Sequence, residues 1–222
     1  MPIEVINFDT TPSLVNRYLR EMRDVSIQHD PVRFRLNLCR IGEIMAYEIS
    51  KRLQYTDEEV KTPLGTAICK EMKDKVVIAT ILRAGLPFHH GFLNFFDHAE
   101  NAFVSAYRRY REKGDQFEVV VEYMATPNLD GKTLILVDPM LATGSSMELG
   151  YRALLKKGTP KTVHVASVIS SRQAIDYVCD VFPKDRTTVW TAAIDPAINS
   201  KSFIVPGLGD AGDLAYGVKD ES

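Results

Sequence analysis

The run LILVDPMLATGSSM, Leu134 to Met147, constrains this chain more than any other stretch. Leu134 to Asp138 reads as a buried strand that ends on a carboxylate. A tight turn of small residues follows, Leu141 to Ser146. The segment beginning MELGYRALLKKG then places Met147, Leu149, Tyr151, Leu154 and Leu155 on one broad helical face. Strand, small-residue loop and helix start together make an anion site, because free N–H groups of the first helical turn and the positive end of the helix dipole point at the loop. Thr143, Ser145 and Ser146 add hydroxyl donors, and Gly144 lets an anion approach the backbone. Asp138 stands where α/β sheets present ligand groups, at the carboxyl end of a strand. It repels phosphate but accepts hydrogen bonds from hydroxyls, so the pairing suggests a sugar phosphate. An ordinary capped helix start is the competing reading of the loop alone. No Walker lysine follows the glycine and there is no G-x-G-x-x-G.

The bulk properties exclude several classes. A chain of 222 residues with 45% apolar and 25% charged residues suits one sizeable core. Net charge of −2 steers it to neither nucleic acid nor an anionic membrane. Cys39, Cys69 and Cys179 are far apart, which indicates no disulfide framework or zinc site, and the histidines lack ligand spacing. MPIEVINFD shows no export signal and no apolar run reaches spanning length, so a cytoplasmic protein is expected.

The segment up to about Leu53 is helical in pattern and needs no strands, with Phe34, Leu38, Ile41, Met45 and Ile49 at helical spacing after Pro31. Thr62-Pro63-Leu64-Gly65 marks a break. Strands and helices alternate from there. Lys75–Leu82 is a β-branched run ending at Arg83-Ala84-Gly85. Asn101–Tyr107 and Phe117–Met124 are expected to pair as a ribbon across Lys113-Gly114-Asp115, and Thr162–Ser170 and Thr187–Ile194 are further strands. The order predicts an α/β fold with a mainly parallel sheet flanked by helices. We expect a single domain over 1–222: a helical N-terminal segment (1–60), a core (61–200) and a C-terminal hood (201–222). The tail, Phe203 to Gly217, is too rich in glycine for a long helix or regular strand, yet Ile204, Val205, Leu208, Leu214 and Tyr216 are too apolar for a solvated end. It reads as an ordered loop.

Taken together, these loops resemble one family. VDPMLATGSS is similar to the phosphoribosyl-diphosphate signature of type I phosphoribosyltransferases in its uracil phosphoribosyltransferase form. ILRAG (Ile81 to Gly85) resembles the diphosphate-side loop, and FIVPGLGDAGD (Phe203 to Asp213) resembles the uracil-binding hood. MAYEIS near Met45 and TPLG near Thr62 also resemble family segments. The resemblance implies a transferase that moves phosphoribosyl from 5-phospho-α-D-ribose 1-diphosphate to N1 of uracil, giving UMP and diphosphate. It implies that Arg83, Arg108 and the loop Asp138, Pro139, Met140, Leu141, Ala142, Thr143, Gly144, Ser145 and Ser146 bind phosphoribosyl diphosphate. It places Ile204, Gly209, Asp210 and Ala211 at uracil, with Asp210 also where base, ribose and diphosphate meet. Asp210 and Arg83 are thereby the catalytic candidates. Mg²⁺ is implied as cofactor, carried mainly by the diphosphate rather than by dedicated protein ligands. A homodimer or higher homo-oligomer is implied, and GTP activation occurs in some members; neither a nucleic acid nor a membrane partner is expected.

Two positions depart from the family pattern. The usual TGGS loop has Ser145 for its second glycine, which would strain the loop if that position needs positive φ. Arg109 stands where acidic residues commonly follow Tyr107-Arg108. A non-catalytic sensor of uracil nucleotide or phosphoribosyl diphosphate on the same fold is the alternative. An enzyme for another base is a third reading, and orotate is disfavoured because Phe203 to Gly217 contains no Lys or Arg.

Overall fold

The computed structural model describes residues 2–110 and 117–218, without the side chains of residues 106–121. The first elements are β1 (Glu4–Asn7), α1 (Leu14–Arg23), α2 (Pro31–Ser50), β2 (Tyr55–Thr62) and β3 (Gly65–Met72). Next come β4 (Val76–Ile81), α3 (Gly85–Leu93), β5 (Glu100–Tyr110), β6 (Phe117–Ala125), β7 (Thr133–Val137), β8 (Met140–Leu141) and α4 (Ser145–Leu154). The chain continues through β9 (Thr162–Ser171), α5 (Arg172–Val181), β10 (Thr187–Asp195), β11 (Ala197–Ile198), β12 (Ile204–Val205) and α6 (Ala211–Tyr216).

The main sheet runs in the order β1-β10-β9-β7-β4-β5-β6, with β8 added beside β9. All its pairings are parallel except β5 with β6. Buried parallel strands need apolar residues on both faces, and β7 is buried at every position. Ile78 and Ile135 face one layer with Leu38, Ile41, Met45, Phe88 and Phe92 from α2 and α3. Val77, Leu134 and Leu136 face the other with Met147, Leu154, Ile175 and Val178 from α4 and α5. Each such side chain contributes roughly 1.5–3 kcal/mol on burial. The long helix α2 starts where Asp30 accepts the Val32 and Arg33 N–H groups and Pro31 presets the first turn.

This wiring positions the site. From β4 the chain crosses through α3 to β5 on one side, while from β7 it crosses through α4 to β9 on the other. The connections diverge between the adjacent strands β4 and β7, and open α/β sheets hold ligands at such a switch point, beyond the carboxyl ends of the strands.

Three expectations are corrected. The N-terminal segment is not purely helical: β1 lies parallel to β10, with Glu4 opposite Thr188. Four short residues with three of them only half-buried give no periodicity to read. Thr62 to Gly65 is a hairpin turn, since β2 pairs with β3 throughout, from Tyr55 opposite Met72 to Thr62 opposite Gly65. The tail is not a loop throughout, because β12 pairs with β11 and α6 follows. The ribbon of β5 and β6 is antiparallel as expected, with a bulge between Ser105 and Ala106; its Lys113-Gly114-Asp115 turn lies outside the described residues.

Candidate active site

β7 delivers Asp138. The strand's ladder extends by one bond, Asp138 N–H to the Ala166 carbonyl (3.1 Å). The Pro139 carbonyl then accepts from both Val168 and Ile169 N–H groups (3.1 and 2.9 Å), so the turn is tied to β9. Asp138 Oδ1 accepts from Met140 N–H at 3.1 Å. The carboxyl keeps an edge on the cleft but is otherwise surrounded by protein, and burial pushes it up to about 7 against the lowering effect of the Met140 bond.

The loop after β8 is shaped by three features. Ser171 Oγ donates to the Ala142 carbonyl at 2.6 Å. Gly144 has φ of +81°, and a Cβ there would sit 2.7 Å from Tyr177 Cδ1, so only glycine fits. Ser145 has ordinary right-handed geometry as the first residue of α4; its N–H donates to Thr143 Oγ1 (3.3 Å), whose hydroxyl reaches Ser145 Oγ (3.1 Å). The left-handed residue is Gly144 alone, which resolves the departure from the family loop. The N-cap residue of α4, Gly144, offers no side chain to its first turn, and a dent of about 50 Å³ lined by Met140 to Gly144, Ser146 and Met147 lies at this end.

β4 delivers the second loop. Leu82 N–H continues the ladder to the Val104 carbonyl (3.0 Å), and α3 begins at Gly85, also without a side-chain cap. A Cβ on Gly85 would lie 2.1 Å from Thr80 Oγ1, so glycine allows the helix to start this close to its strand. The N-termini of two neighbouring helices thus open onto the switch point, where first-turn N–H groups have no partner one turn back in their own helix.

The hood closes the other side. Gly207 and Gly209 have φ of +64° and +90°. Asp210 caps α6, its Oδ1 accepting from Asp213 N–H at 2.9 Å, and Oδ2 has no partner among the described residues. Arg83 Nη2 donates to Asp213 Oδ1 at 3.4 Å, so the β4 loop and the hood touch.

A cleft of about 620 Å³ lies between these parts. Of the residues singled out from the sequence, Arg83, Asp138, Met140, Ala142, Ser146, Gly209, Asp210 and Ala211 line it. Thr143 and Gly144 line the adjoining dent instead. Pro139 and Ile204 are buried and line neither space, and Leu141, also buried, reaches only the dent. Ser145 lines neither space but orders the turn. The Arg108 side chain, like that of Arg109, lies outside the described residues.

Several lining residues escaped sequence reasoning. Ser105 Oγ donates to Glu122 Oε2 (3.2 Å) across the bulge of the ribbon, and both line the cleft. Lys201, Ser202 and Phe203 form its rim, in a turn where Asn199 Oδ1 accepts from Lys201 and Phe203 N–H groups (2.9 and 3.0 Å). Lys201 lies just before Phe203 to Gly217, so a cation reaches this rim although that stretch holds no Lys or Arg. Among the described residues no group of three or more His, Cys, Asp or Glu could hold a metal by itself.

Comparison with known proteins agrees along the chain. A family model described as uracil phosphoribosyltransferase matches residues 10–218. The uracil phosphoribosyltransferase of Porphyromonas gingivalis is 61% identical over 217 residues, which is 98% of this chain and 100% of that protein. That of Methanothermobacter thermautotrophicus is 42% identical over 190 residues, 85% of each. The solved structure of AQ2163 protein from Aquifex aeolicus has a TM-score of 0.83 at 28% identity, covering 96% of this chain and 98% of that one. Because the match spans the loop at Gly144 and the hood at Gly209 together, the chain belongs to the uracil phosphoribosyltransferase family.

Proposed function

We propose that this enzyme joins uracil to phosphoribosyl diphosphate, forming UMP and diphosphate. The N1–C1′ bond forms, the bond from C1′ to diphosphate breaks, and the N1 proton passes to a base, for which the Asp210 carboxylate is the candidate on the cleft. The observation that carries the reading is the shared cleft, with Asp138 and Ser146 on one wall and Gly209 to Gly212 on the other.

The open start of α4 takes the 5′-phosphate, its N–H groups aided by the Thr143, Ser145 and Ser146 hydroxyls. Asp138 receives the ribose hydroxyls. Arg83, released from Asp213, takes the diphosphate, where a guanidinium fork matches phosphate oxygens and offsets charge that grows as the bond breaks. Arg108 is assigned the same ligand from the family motif. Gly209 and Ala211 present backbone donors and acceptors to the carbonyls and N3–H of uracil. Cytosine would leave such groups unpaired, a mismatch that gives strong discrimination. Asp210, anchored through Oδ1, offers Oδ2 to the reacting edge. Mg²⁺ would supply further positive charge to the diphosphate at this cleft. The carboxylates on the cleft suit an ion that keeps its waters and rides on phosphate, a binding mode that needs few protein ligands.

The assembly proposed is a homodimer or larger. Exposed Val32, Leu36 and Tyr47 on α2, and Leu64 at the tip of the β2–β3 hairpin, are apolar surface suited to a second copy. GTP is proposed as an effector, and its effect on rate is the test. A cytoplasmic location is proposed on the three free thiols; among the described residues no helix is long and apolar enough to cross a membrane.

The test is a panel of uracil, cytosine, orotate, hypoxanthine and adenine, each with phosphoribosyl diphosphate and Mg²⁺, following diphosphate release. Release with uracil alone is expected. Equal release with orotate would show that Lys201 makes this a site for anionic bases. No release with any base, despite binding of UMP, would make the protein a sensor.

A further inference from the structure

The hood has little structure of its own: a two-residue strand, a short turn that contains Gly207 and Gly209, and a six-residue helix. What holds its turn comes from far away in sequence. Arg23, the last residue of α1, donates from Nη1 and Nη2 to the two carboxylate oxygens of Asp195, both at 2.7 Å. Nη1 also donates to the Gly207 carbonyl at 2.9 Å. Asp195 Oδ2 in turn accepts from Gly207 N–H at 2.8 Å. Both backbone polar groups of Gly207 are therefore held by one ion pair.

Gly207 cannot easily be replaced in this clamp. Its φ is +64°, and a Cβ would lie 2.0 Å from the Ile204 carbonyl oxygen. Asp195 is buried; desolvation would raise its carboxyl, but the Arg23 guanidinium and the Gly207 N–H reverse this and hold it below its usual range. Gln28, also buried, braces the arrangement by donating to the Arg23 carbonyl at 3.1 Å. A second grip lies at the far end of the hood, where Arg35 on α2 donates to the Ala215 carbonyl at 2.6 Å. Neither Arg23 nor Asp195 lines the cleft.

We propose that Arg23 and Asp195 are positioning residues that set uracil affinity by clamping Gly207, so the N-terminal helices tune base recognition at a distance. The inference rests on the reading that the hood takes uracil. Fork geometry matters, because two parallel bonds fix orientation as well as distance. Removing an outer partner that orients a metal ligand typically costs about 10–100-fold, and support of a base-binding turn is expected to act on the same scale.

The test compares steady-state kinetics of the wild type with Arg23→Lys and Asp195→Asn, which nearly preserve volume, at a temperature where melting curves show all three folded. The KM for uracil should rise about tenfold or more, while the KM for phosphoribosyl diphosphate stays within about twofold, because the Gly144 loop is held by Ser171 and Tyr177 instead. Uracil KM within about twofold of wild type, or both KM values rising in parallel, would overturn the clamp. Wild-type protein that forms no UMP would instead overturn the functional reading. Should Asp195→Asn fail to fold, Arg23→Lys carries the same comparison with the buried carboxylate still paired.

Discussion

At the scale of residues, Asp138 and Asp210 share a cleft but differ in how each is held. Asp138 is ringed by protein and pushed up to about 7, whereas Asp210 is fixed at a helix cap through one oxygen, the other having no partner among the described residues. Asp138 binds its proton more tightly folded than unfolded. Its contribution to stability is therefore complete below 3.8 and is lost as pH rises towards about 7. Asp138→Asn, which does not titrate, should gain in melting temperature relative to wild type over that window and show a constant difference above it. A difference that does not change with pH would mean that the carboxyl ionises freely in the fold. Asp210→Asn should keep the α6 cap, since an amide oxygen also accepts from Asp213 N–H, yet lower kcat by about 10²-fold or more through loss of charge at the reacting edge. Near wild-type UMP formation by that variant would remove Asp210 from the catalytic set.

Among the elements, the loop before α4 was the most legible, because its chemistry and its backbone needs lie in adjacent residues. Gly144 shows both at once, through a positive φ and through contact with Tyr177. Gly144→Ala should cost about 1–3 kcal/mol in denaturant unfolding, from backbone strain and the displaced ring, and should raise the KM for phosphoribosyl diphosphate more than that for uracil. An unchanged unfolding midpoint would refute the strain. Elements without an apolar period were not legible. β2 is exposed at every residue and reads YTDEEVKT, so no buried face marks it as a strand; pairing with β3 reveals it. β1 is recognisable only through its parallel partner β10. α6, six residues long, is too short to show a helical period, and its one local signal is Asp210 three residues before Asp213. Lys201, Ser105 and Glu122 reach the cleft through a turn and a bulge, which sequence spacing does not encode.

For the whole molecule, the alternation of strands and helices was enough to predict a mainly parallel sheet, but not which strands are neighbours. The site depends on that order. β4 and β7 are adjacent although two strands separate them in the chain, so Arg83 and Asp138 come together only in the fold. The hood then reaches over this switch point from the far end of the sequence, steadied by α1 and α2. The central claim is that one nucleotide spans the helix start at Gly144 and the turn at Gly209. A crystal structure of the complex with UMP tests this most directly. The account predicts the phosphate within hydrogen-bonding distance of N–H groups between Thr143 and Met147, with the uracil edge paired to the backbone of Gly209 and Ala211. UMP bound with its base away from the hood, or with its phosphate away from α4, would contradict it.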